Sequence, residues 1–172
     1  TQDINPNPEP FEVKKSIHLC ISNESMYDEV VIVNWKHRKN TGEIIKEKSY
    51  KVEIKKLSSV WLEKITLPEL SLYDEYISYE MIKDNKVISS GTTIFCAPKH
   101  FKFINPNLNI SVNGDEITII SDSYARRIEV INEEDNLLLE DNYFDINSGI
   151  HKVKIIKGEP KGLKVRSVYD IR

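Results

Sequence analysis

The sequence predicts an all-β chain made of two consecutive β-sandwich modules. Apolar and polar residues alternate in many short runs, and this alternation is the period of a half-buried strand. Asn, Asp, Gly and Pro separate these runs at regular intervals. No stretch of the 172 residues has the apolar spacing of an amphipathic helix three turns long. Sandwiches are therefore expected rather than a parallel sheet with helical crossovers.

The first series of predicted strands ends at Phe95. It comprises residues 17–21, 31–35, 44–52, 60–67, 76–82 and 87–95. The tripeptide Asn40-Thr41-Gly42 is expected to turn the chain between the second and third strands, and Asp84-Asn85-Lys86 is expected to form a hairpin turn. In the first strand, Ile17, Leu19 and Ile21 share one face.

A second series begins after Ala97-Pro98. It comprises residues 108–112, 117–120, 128–131, 137–139, 150–156 and 163–169. Asn113-Gly114 is the strongest hairpin signal in the chain, because this dipeptide readily adopts the positive φ angles of a tight turn. Residues 133–140 are the one segment where a short helical turn is expected.

The break at Ala97-Pro98 divides the chain into modules of residues 13–97 and 98–172. Residues 1–12, which begin TQDINPNPEP, have the composition of a linker. The modules contain 85 and 75 residues, in the size range of immunoglobulin-like sandwiches of about 100 residues.

Composition argues against nucleic-acid and membrane partners. The chain has 24 basic and 27 acidic residues, and its net charge is −3. Its basic residues are scattered, whereas duplex binding depends on clustered Lys and Arg. No run of about 18 apolar residues is present to cross a bilayer.

Cys20, Trp35 and Cys96 occur in the order found in antibody domains. Those domains also place Tyr two residues before the second Cys, where this chain has Ile94. We therefore expect two free thiols, with Trp35 as a core residue. The sequence leaves the compartment open, although two cysteines without a disulfide framework favour the cytoplasm.

No catalytic, metal-binding or cofactor-binding residues are expected. Asn23-Glu24 superficially fits a glycosidase acid/base pair, but a retaining glycosidase needs a second carboxylate about 5–5.5 Å away. Such pairs stand on the loops of a β/α barrel, which this chain lacks, so we interpret Asn23-Glu24 as a turn. The four histidines do not pair with cysteine at zinc-ligand spacing, and the acidic stretches 133–135 and 140–141 lack the pattern of a calcium loop.

Four aromatic residues leave two interpretations. As exposed flat faces they would form a platform on which a sugar ring stacks; as buried side chains they would belong to the core. Core packing is favoured, because Tyr76 and Tyr79 lie on opposite faces of one strand, so at most one side could present a platform. The four are Trp61, Tyr73, Tyr76 and Tyr79.

Three motifs in the second module carry a resemblance to a known family. They are SDSYA at 121–125, DNYFDINSG at 141–149 and VRSVYDI at 165–171. In this order and spacing, they resemble the last immunoglobulin-like domain of bacterial β-mannosidases of glycoside hydrolase family 2. The chain departs from that pattern at Asn147-Ser148, where the family usually has Leu-Pro. APKHFKF at 97–103 and NPNL at 105–108 resemble the linker and first strand of the same domain.

The first module shows a weaker resemblance. VKKSIHLCISNE at 13–24 and VNWKHRKNTGEIIKE at 33–47 are similar to the sandwich that follows the catalytic barrel in those enzymes. The resemblance implies that residues 1–12 are a linker from an upstream catalytic region.

The residues identified with the family motif are expected to be structural. Tyr143 and Phe144 should point to opposite faces, with Phe144 buried. Asp141 and Asp145 should accept hydrogen bonds from nearby backbone N–H groups, and Gly149 should supply a positive φ. The motif set is Asp141, Asn142, Tyr143, Phe144, Asp145 and Gly149.

The resemblance implies a non-catalytic C-terminal accessory region of a retaining exo-glycosidase. The implied parent is a β-mannosidase, with an exo-β-glucosaminidase as the rival. The implied partner is the catalytic barrel of the same chain, and a β-mannoside or another polysaccharide is a further possible ligand. Two alternatives stay open: an autonomous carbohydrate-binding module and a cell-surface adhesion repeat.

Overall fold

The chain is all-β, as predicted, with antiparallel pairing throughout the part that the structure describes. The computed structural model describes residues 14–171, so the predicted linker 1–12 lies outside the described residues. The strands pair into two groups, and in each group the sheets face one another across a hydrophobic core.

The first group contains eight strands. They are β1 (Ser16–Ile17), β2 (Cys20–Asn23), β3 (Glu29–Lys39), β4 (Ile44–Ile54), β5 (Ser58–Trp61), β6 (Ile65–Thr66), β7 (Glu75–Lys83) and β8 (Lys86–Thr93). One layer is the sheet β4-β3-β7-β8, and the other consists of the pairs β1-β6 and β2-β5.

Alternation along β3 explains how this group closes. Val31, Val33 and Trp35 point inward and are buried, while the residues between them point away from the core. Branched and aromatic side chains suit this role because they fill a pleated surface. Ile21 and Ile65 cover them from the opposite layer.

The second group contains seven strands and a separate core. They are β9 (Asn109–Asn113), β10 (Glu116–Ser121), β11 (Ala125–Ile131), β12 (Leu138–Leu139), β13 (Phe144–Ile146), β14 (Gly149–Lys157) and β15 (Lys164–Arg166). The sheet β12-β14-β10-β9 faces the sheet β13-β11-β15. Ile117, Ile119, Ile128 and Val130 are the most deeply buried residues between them.

Both predicted hairpins form. Asp84 and Asn85 are the two loop residues between β7 and β8, both at positive φ, and Lys86 already belongs to β8. In the β9–β10 hairpin the loop consists of Gly114 and Asp115, with Gly114 at φ +63°. Asn113 is therefore the last strand residue rather than a central turn residue.

The helical turn predicted at 133–140 is wrong. The chain turns after Asn132 and then forms β12. The Asn132 side chain accepts a hydrogen bond from the Asn136 N–H (3.0 Å) and donates to the Glu159 carbonyl (3.0 Å). Such side-chain bonds to the backbone compete with a helix. The helical residues of the described chain lie in two short 3₁₀ segments, Pro98–His100 and Val168–Ile171.

Three predicted strands are shorter or divided. The segment 17–21 splits into β1 and β2, which pair with different strands, and the segment 60–67 splits into β5 and β6. The last strand ends at Arg166, because the Ser167 backbone N–H and hydroxyl both donate to Asp170 and begin the final 3₁₀ segment.

The strand groups are separated by a connector, residues 94–108, which contains the predicted boundary at Ala97-Pro98. Strand pairing does not test whether the groups fold independently, so the modules 13–97 and 98–172 stay a prediction. Within residues 14–171, no helix has the length and apolarity needed to span a bilayer.

Candidate functional site at the junction of the two strand groups

Four aromatic side chains fill the junction between the strand groups. Tyr76 lies on β7, Phe101 and Phe103 on the connector, and Tyr124 directly before β11. The Tyr76 and Tyr124 rings stack with centroids 3.8 Å apart, and Phe101 meets both rings edge-on. All four are buried. We call them the junction cluster; it is a small core shared by the two groups.

Alternation on β7 explains how Tyr76 reaches this cluster. The next residue, Ile77, is buried in the core of the first group. Since successive side chains of a strand point to opposite faces, Tyr76 leaves the outer face of the sheet and enters the junction.

The tyrosine hydroxyls of the cluster are held by polar partners. The Tyr76 hydroxyl donates to the Asn147 side-chain oxygen (3.0 Å). Tyr124 and Thr92 share a hydroxyl hydrogen bond, and Thr92 donates to the Asp145 carboxylate. Burial raises the pKa of both tyrosines well above the ordinary value. These hydroxyls therefore stay protonated and act as donors at neutral pH.

The tip of the β3–β4 hairpin touches the second group. The Asn40 carbonyl accepts a hydrogen bond from the Tyr124 N–H (3.0 Å), and its side chain donates to the Lys102 carbonyl (2.6 Å). Gly42, at φ +90°, lies so close to Asn147 and Ser148 that a β-carbon would overlap them. Only glycine fits this contact without strain.

Two predicted motif residues have structural roles here: Asp145 lies beside the junction cluster, and Phe144 lies in the second core. Asp145 accepts a hydrogen bond from the Arg127 N–H (2.8 Å), as expected, and this bond stabilises a bulge in β11. Phe144 is buried in the second core, and its ring stacks on His151 with centroids 4.1 Å apart. The prediction that Phe144 is buried agrees with the structure.

The other motif residues have smaller roles. The side-chain oxygen of Asn142 accepts a hydrogen bond from the Val130 N–H (3.1 Å) and so caps the backbone. Asp141 is exposed, and the hydrogen bond expected of it stays a prediction. Tyr143 points away from Phe144 and is 61% exposed. Gly149 has the predicted positive φ, +95°.

The departure at Asn147-Ser148 has a structural consequence. Ser148 has a φ of +149°, which a proline ring cannot adopt. The Asn147 side chain accepts a hydrogen bond from the Tyr76 hydroxyl in the junction. This turn therefore differs from one built on Leu-Pro and gains a bond between the groups.

An open groove of about 760 Å³ lies beside the junction cluster. One wall is the outer face of the sheet β4-β3-β7-β8, and the other is formed by the start of β11 and residues 141–151. The groove is lined by charged side chains of both signs: Lys36, Arg38, Arg126 and Arg127, with Glu80, Asp141 and Asp145.

Asn23 is the last residue of β2 and Glu24 leads into the bend at residues 25–27, so the predicted turn lies just after Asn23-Glu24. Asn23 is buried; its side-chain oxygen accepts from the Ser25 N–H (2.9 Å) and its amide donates to the Tyr27 carbonyl (2.8 Å). Glu24 is exposed. A structural role thus accounts for the dipeptide.

The four aromatic residues considered as a platform do not share one face. Tyr76 is in the junction cluster and Tyr79 packs against the first core. Core packing is the wrong prediction for Trp61 and Tyr73, which are exposed. Trp61 instead packs beside the His18 ring on the surface of the β2-β5 pair (4.6 Å).

Both cysteines are free thiols, as predicted, and Trp35 is a buried core residue. Cys20 is exposed on β2, and Cys96 is half-buried in the connector. Among residues 14–171, no group of three or more His, Cys, Asp and Glu side chains could hold a metal ion.

The sequence patterns do not predict the junction cluster as a unit. Tyr124 lay within the motif SDSYA, and Phe101 and Phe103 within APKHFKF, so the resemblance marked three of its members. Tyr76 was considered only as a platform or core residue. The dipeptide Tyr76-Ile77 does indicate that the outer face of this strand is covered. It places two large side chains on opposite faces, and both faces must then pack against other residues.

Comparison with known proteins places this fold in a family. A family model described as the mannosidase Ig/CBM-like domain matches residues 15–100, which is half of the chain. The match falls on the first strand group, where the sequence resemblance was weaker. No curated protein matches the chain.

Two solved structures share the fold. A β-D-mannosidase from Dictyoglomus thermophilum is similar with a TM-score of 0.73 and 17% identity, over 89% of this chain and 20% of that chain. An exo-chitosanase from Amycolatopsis orientalis is similar with a TM-score of 0.57 and 11% identity, over 87% of this chain and 25% of that chain. This chain thus spans a quarter or less of each. The predicted resemblance is confirmed: the chain belongs to the mannosidase Ig/CBM-like domain family.

Proposed function

We propose that the chain is a non-catalytic accessory region of a larger family 2 glycoside hydrolase related to β-mannosidase. Its two sandwiches would pack on the catalytic barrel of the parent chain and support it. Membership in the mannosidase Ig/CBM-like domain family carries this proposal. The higher TM-score to the β-mannosidase, 0.73 against 0.57, supports a β-mannosidase parent over an exo-β-glucosaminidase.

The junction supports a mechanical role for the pair of sandwiches. A region that supports a barrel must keep its own parts in a fixed orientation. The buried Tyr76–Tyr124 stack and the Gly42 contact tie the two strand groups by packing as well as by the connecting chain. Closely packed interfaces of this kind resist deformation.

A deletion experiment tests the accessory role. The parent enzyme and a form lacking residues 14–171 would be compared for hydrolysis of aryl β-mannosides and aryl β-glucosaminides after heating. We expect the shortened enzyme to lose activity at a lower temperature, and this chain added separately to restore part of the loss. Equal heat resistance of the two forms would contradict the proposal.

The chain by itself is expected not to hydrolyse either substrate. Glu24 is the residue to check, because Asn23-Glu24 was the one sequence pattern that fitted a glycosidase. Glu24→Gln should leave the background rate unchanged. A measurable rate that disappears in this variant would contradict the non-catalytic role.

The aromatic platform on which a module that binds neutral mannan would depend does not form among residues 14–171, and no contact in that range favours the adhesion repeat. The proposed platform of Trp61, Tyr73, Tyr76 and Tyr79 is divided between the surface and two interior clusters. Titration with mannobiose and mannan separates the first alternative from the accessory role, which predicts no saturable binding.

A further inference from the structure

Among residues 14–171, three arginines line the groove beside the junction cluster without an ion pair to a carboxylate: Arg38, Arg126 and Arg127. Arg38 donates from Nε to the Ser78 hydroxyl (2.9 Å) and from Nη1 to the Gly42 carbonyl (2.7 Å), so both partners are neutral. These two bonds fix the guanidinium plane on the outer face of the sheet.

Arg126 faces the same groove from the second strand group. Its Nη1 is buried and has no hydrogen-bond partner in the described part of the chain. A buried donor without a partner costs about 1–3 kcal/mol. Arg126 thus lines the groove without a protein acceptor at this nitrogen.

Two of the three acidic residues that line the groove, Glu80 and Asp145, are engaged by other groups. Glu80 accepts from the Asn34 amide (3.1 Å) and pairs with Lys36 (3.6 Å). Asp145 accepts from the Arg127 N–H and from the Thr92 hydroxyl. Asp141 is exposed at the groove. Among residues 14–171, the guanidinium charges of Arg38, Arg126 and Arg127 therefore remain without a direct counter-ion, in a chain whose net charge is −3.

The rest of the lining is rich in neutral hydrogen-bonding groups. Ser78, Ser90 and Thr92 contribute hydroxyls, and Asn34 and Asn147 contribute amides. The volume of about 760 Å³ lies within the range of small-molecule sites, about 300–1,000 Å³.

Tyr143 offers a fixed flat face at the groove. It is exposed and has a φ of +65°, which a bulky residue rarely adopts. Its hydroxyl donates to Glu129 (2.8 Å), which also pairs with Arg166. The ring is therefore held in place although it is exposed, as a surface for stacking requires.

The geometry points to this groove as a binding site for a carboxylate-bearing sugar of the size of a hexuronate. Arg38 and Arg126 bind the carboxylate, since guanidinium groups match its planar shape. The hydroxyls and amides of the lining bind the sugar hydroxyls, and the Tyr143 ring contacts the apolar face of the sugar. This site is separate from the accessory role and does not depend on it.

Titration of the ¹⁵N-labelled chain, followed by NMR, tests the site. Three ligands at matched ionic strength separate the sources of affinity: sodium glucuronate, sodium acetate and glucose. We expect saturable shifts at residues of the groove with glucuronate, with a Kd of about 1 mM. Acetate lacks the hydroxyls and glucose lacks the charge, so each should bind about 10-fold more weakly or not at all.

Three variants locate the binding. Arg126→Gln and Tyr143→Ala should each weaken glucuronate binding, by about 10-fold for the arginine because it loses a charge-assisted hydrogen bond. Tyr143 is exposed, so its variant remains a test if Arg126→Gln does not fold. Lys154→Gln, on an exposed position of β14 that does not line the groove, is the matched control.

Some results would overturn the assignment. They are the absence of saturable shifts with glucuronate, equal affinity for acetate or glucose, and unchanged binding in both Arg126→Gln and Tyr143→Ala. A similar loss in Lys154→Gln would point to general charge attraction and would also overturn it.

Discussion

The Tyr76 ring lies on the Tyr124 ring with their planes only 14° apart, although the two residues belong to different strand groups. Offset stacking of aromatic rings contributes about 0.5–1.5 kcal/mol beyond the buried area. The stack is fully buried, and both hydroxyls have partners. This pair should therefore couple the unfolding of the two groups.

Tyr124→Ala should uncouple the two strand groups. Removing a buried aromatic ring costs about 3–5 kcal/mol, and here the lost contacts belong to both groups. We expect wild-type unfolding in urea to give coincident transitions for the two groups, and the variant to give separate ones. Both tryptophans, Trp35 and Trp61, lie in the first group, so their fluorescence follows that group alone. Hydrogen exchange in β10 follows the second group.

The control for this experiment is Tyr73→Ala, which removes an exposed tyrosine of the first group. It should leave the transitions coincident. Coincident transitions in Tyr124→Ala would mean that the connector and the hairpin-tip contacts of Asn40 and Gly42 couple the groups without the stack. Separate transitions in the wild type would mean that the groups are not coupled at all.

Phe144→Ala should unfold the second group or bring it close to unfolding. The ring is buried in the core of that group, and the expected loss is about 3–5 kcal/mol. A group of about 75 residues has a stability on the order of 0.05–0.15 kcal/mol per residue. The first group should then unfold in a separate transition, followed by tryptophan fluorescence, since Phe144 is not part of its core.

Tyr143→Ala is the matched control, because it removes a neighbouring aromatic ring that is exposed. Its effect on unfolding should be much smaller, limited to the bond with Glu129. If both substitutions shift the hydrogen exchange of β10 equally, then Phe144 does not support the second core.

The strand series, both hairpins and the burial of Trp35 and Phe144 followed from local patterns. Alternation decides which face of a strand is buried, and Asp-Asn or Asn-Gly decides where a hairpin turns. The turn at 133–140 could not be predicted in this way, because the Asn132 side chain bonds to Glu159, which is distant in sequence. Nor could the groove, since Arg38 and Arg126 line it from different strand groups.

His151 should make the second group less stable in mild acid. Burial lowers the pKa of His151 below 6.5, and the negative charge of Asp141 opposes part of this effect. The unfolded chain then binds a proton more readily than the folded chain, so the free energy of unfolding rises with pH in this range. The stability that depends on neutral His151 is present above pH 6.5. It is lost as the pH falls below 6.5, the ordinary pKa of histidine, towards the lowered pKa of His151 in the folded state.

The measurement compares urea unfolding at several pH values for the wild type and His151→Gln, with β10 hydrogen exchange as the probe. The difference between their free energies of unfolding should decrease as the pH falls below 6.5. A difference that does not change with pH would show that His151 titrates alike in the folded and unfolded chains.

The two thiols should react at different rates in the folded chain. Cys20 is exposed, whereas burial of Cys96 raises the pKa of its thiol despite the nearby Arg126. Because the thiolate is the reactive form, Cys96 should react more slowly with an aromatic disulfide reagent. Cys20→Ser should remove the fast phase and Cys96→Ser the slow one. Both thiols should be titratable after unfolding without reductant; the absence of titratable thiols would indicate a disulfide.

Gly42→Ala and Gly114→Ala together measure the contact at the hairpin tip. Both glycines have positive φ, at +90° and +63°, so alanine is strained at either position, by about 1–2 kcal/mol. At Gly114 the space around the new β-carbon is open, whereas at Gly42 it would overlap Asn147 and Ser148 of the second group. Gly114→Ala should therefore lower the free energy of unfolding by the backbone strain alone. Gly42→Ala should lower it further and push the hairpin tip away from the second group.

In urea unfolding, Gly42→Ala should separate the transitions of the two groups, as is expected for Tyr124→Ala, while Gly114→Ala should lower the stability without separating them. Equal effects of the two substitutions would mean that the Gly42 contact adds nothing beyond backbone strain, and the junction would then rest on the aromatic cluster alone.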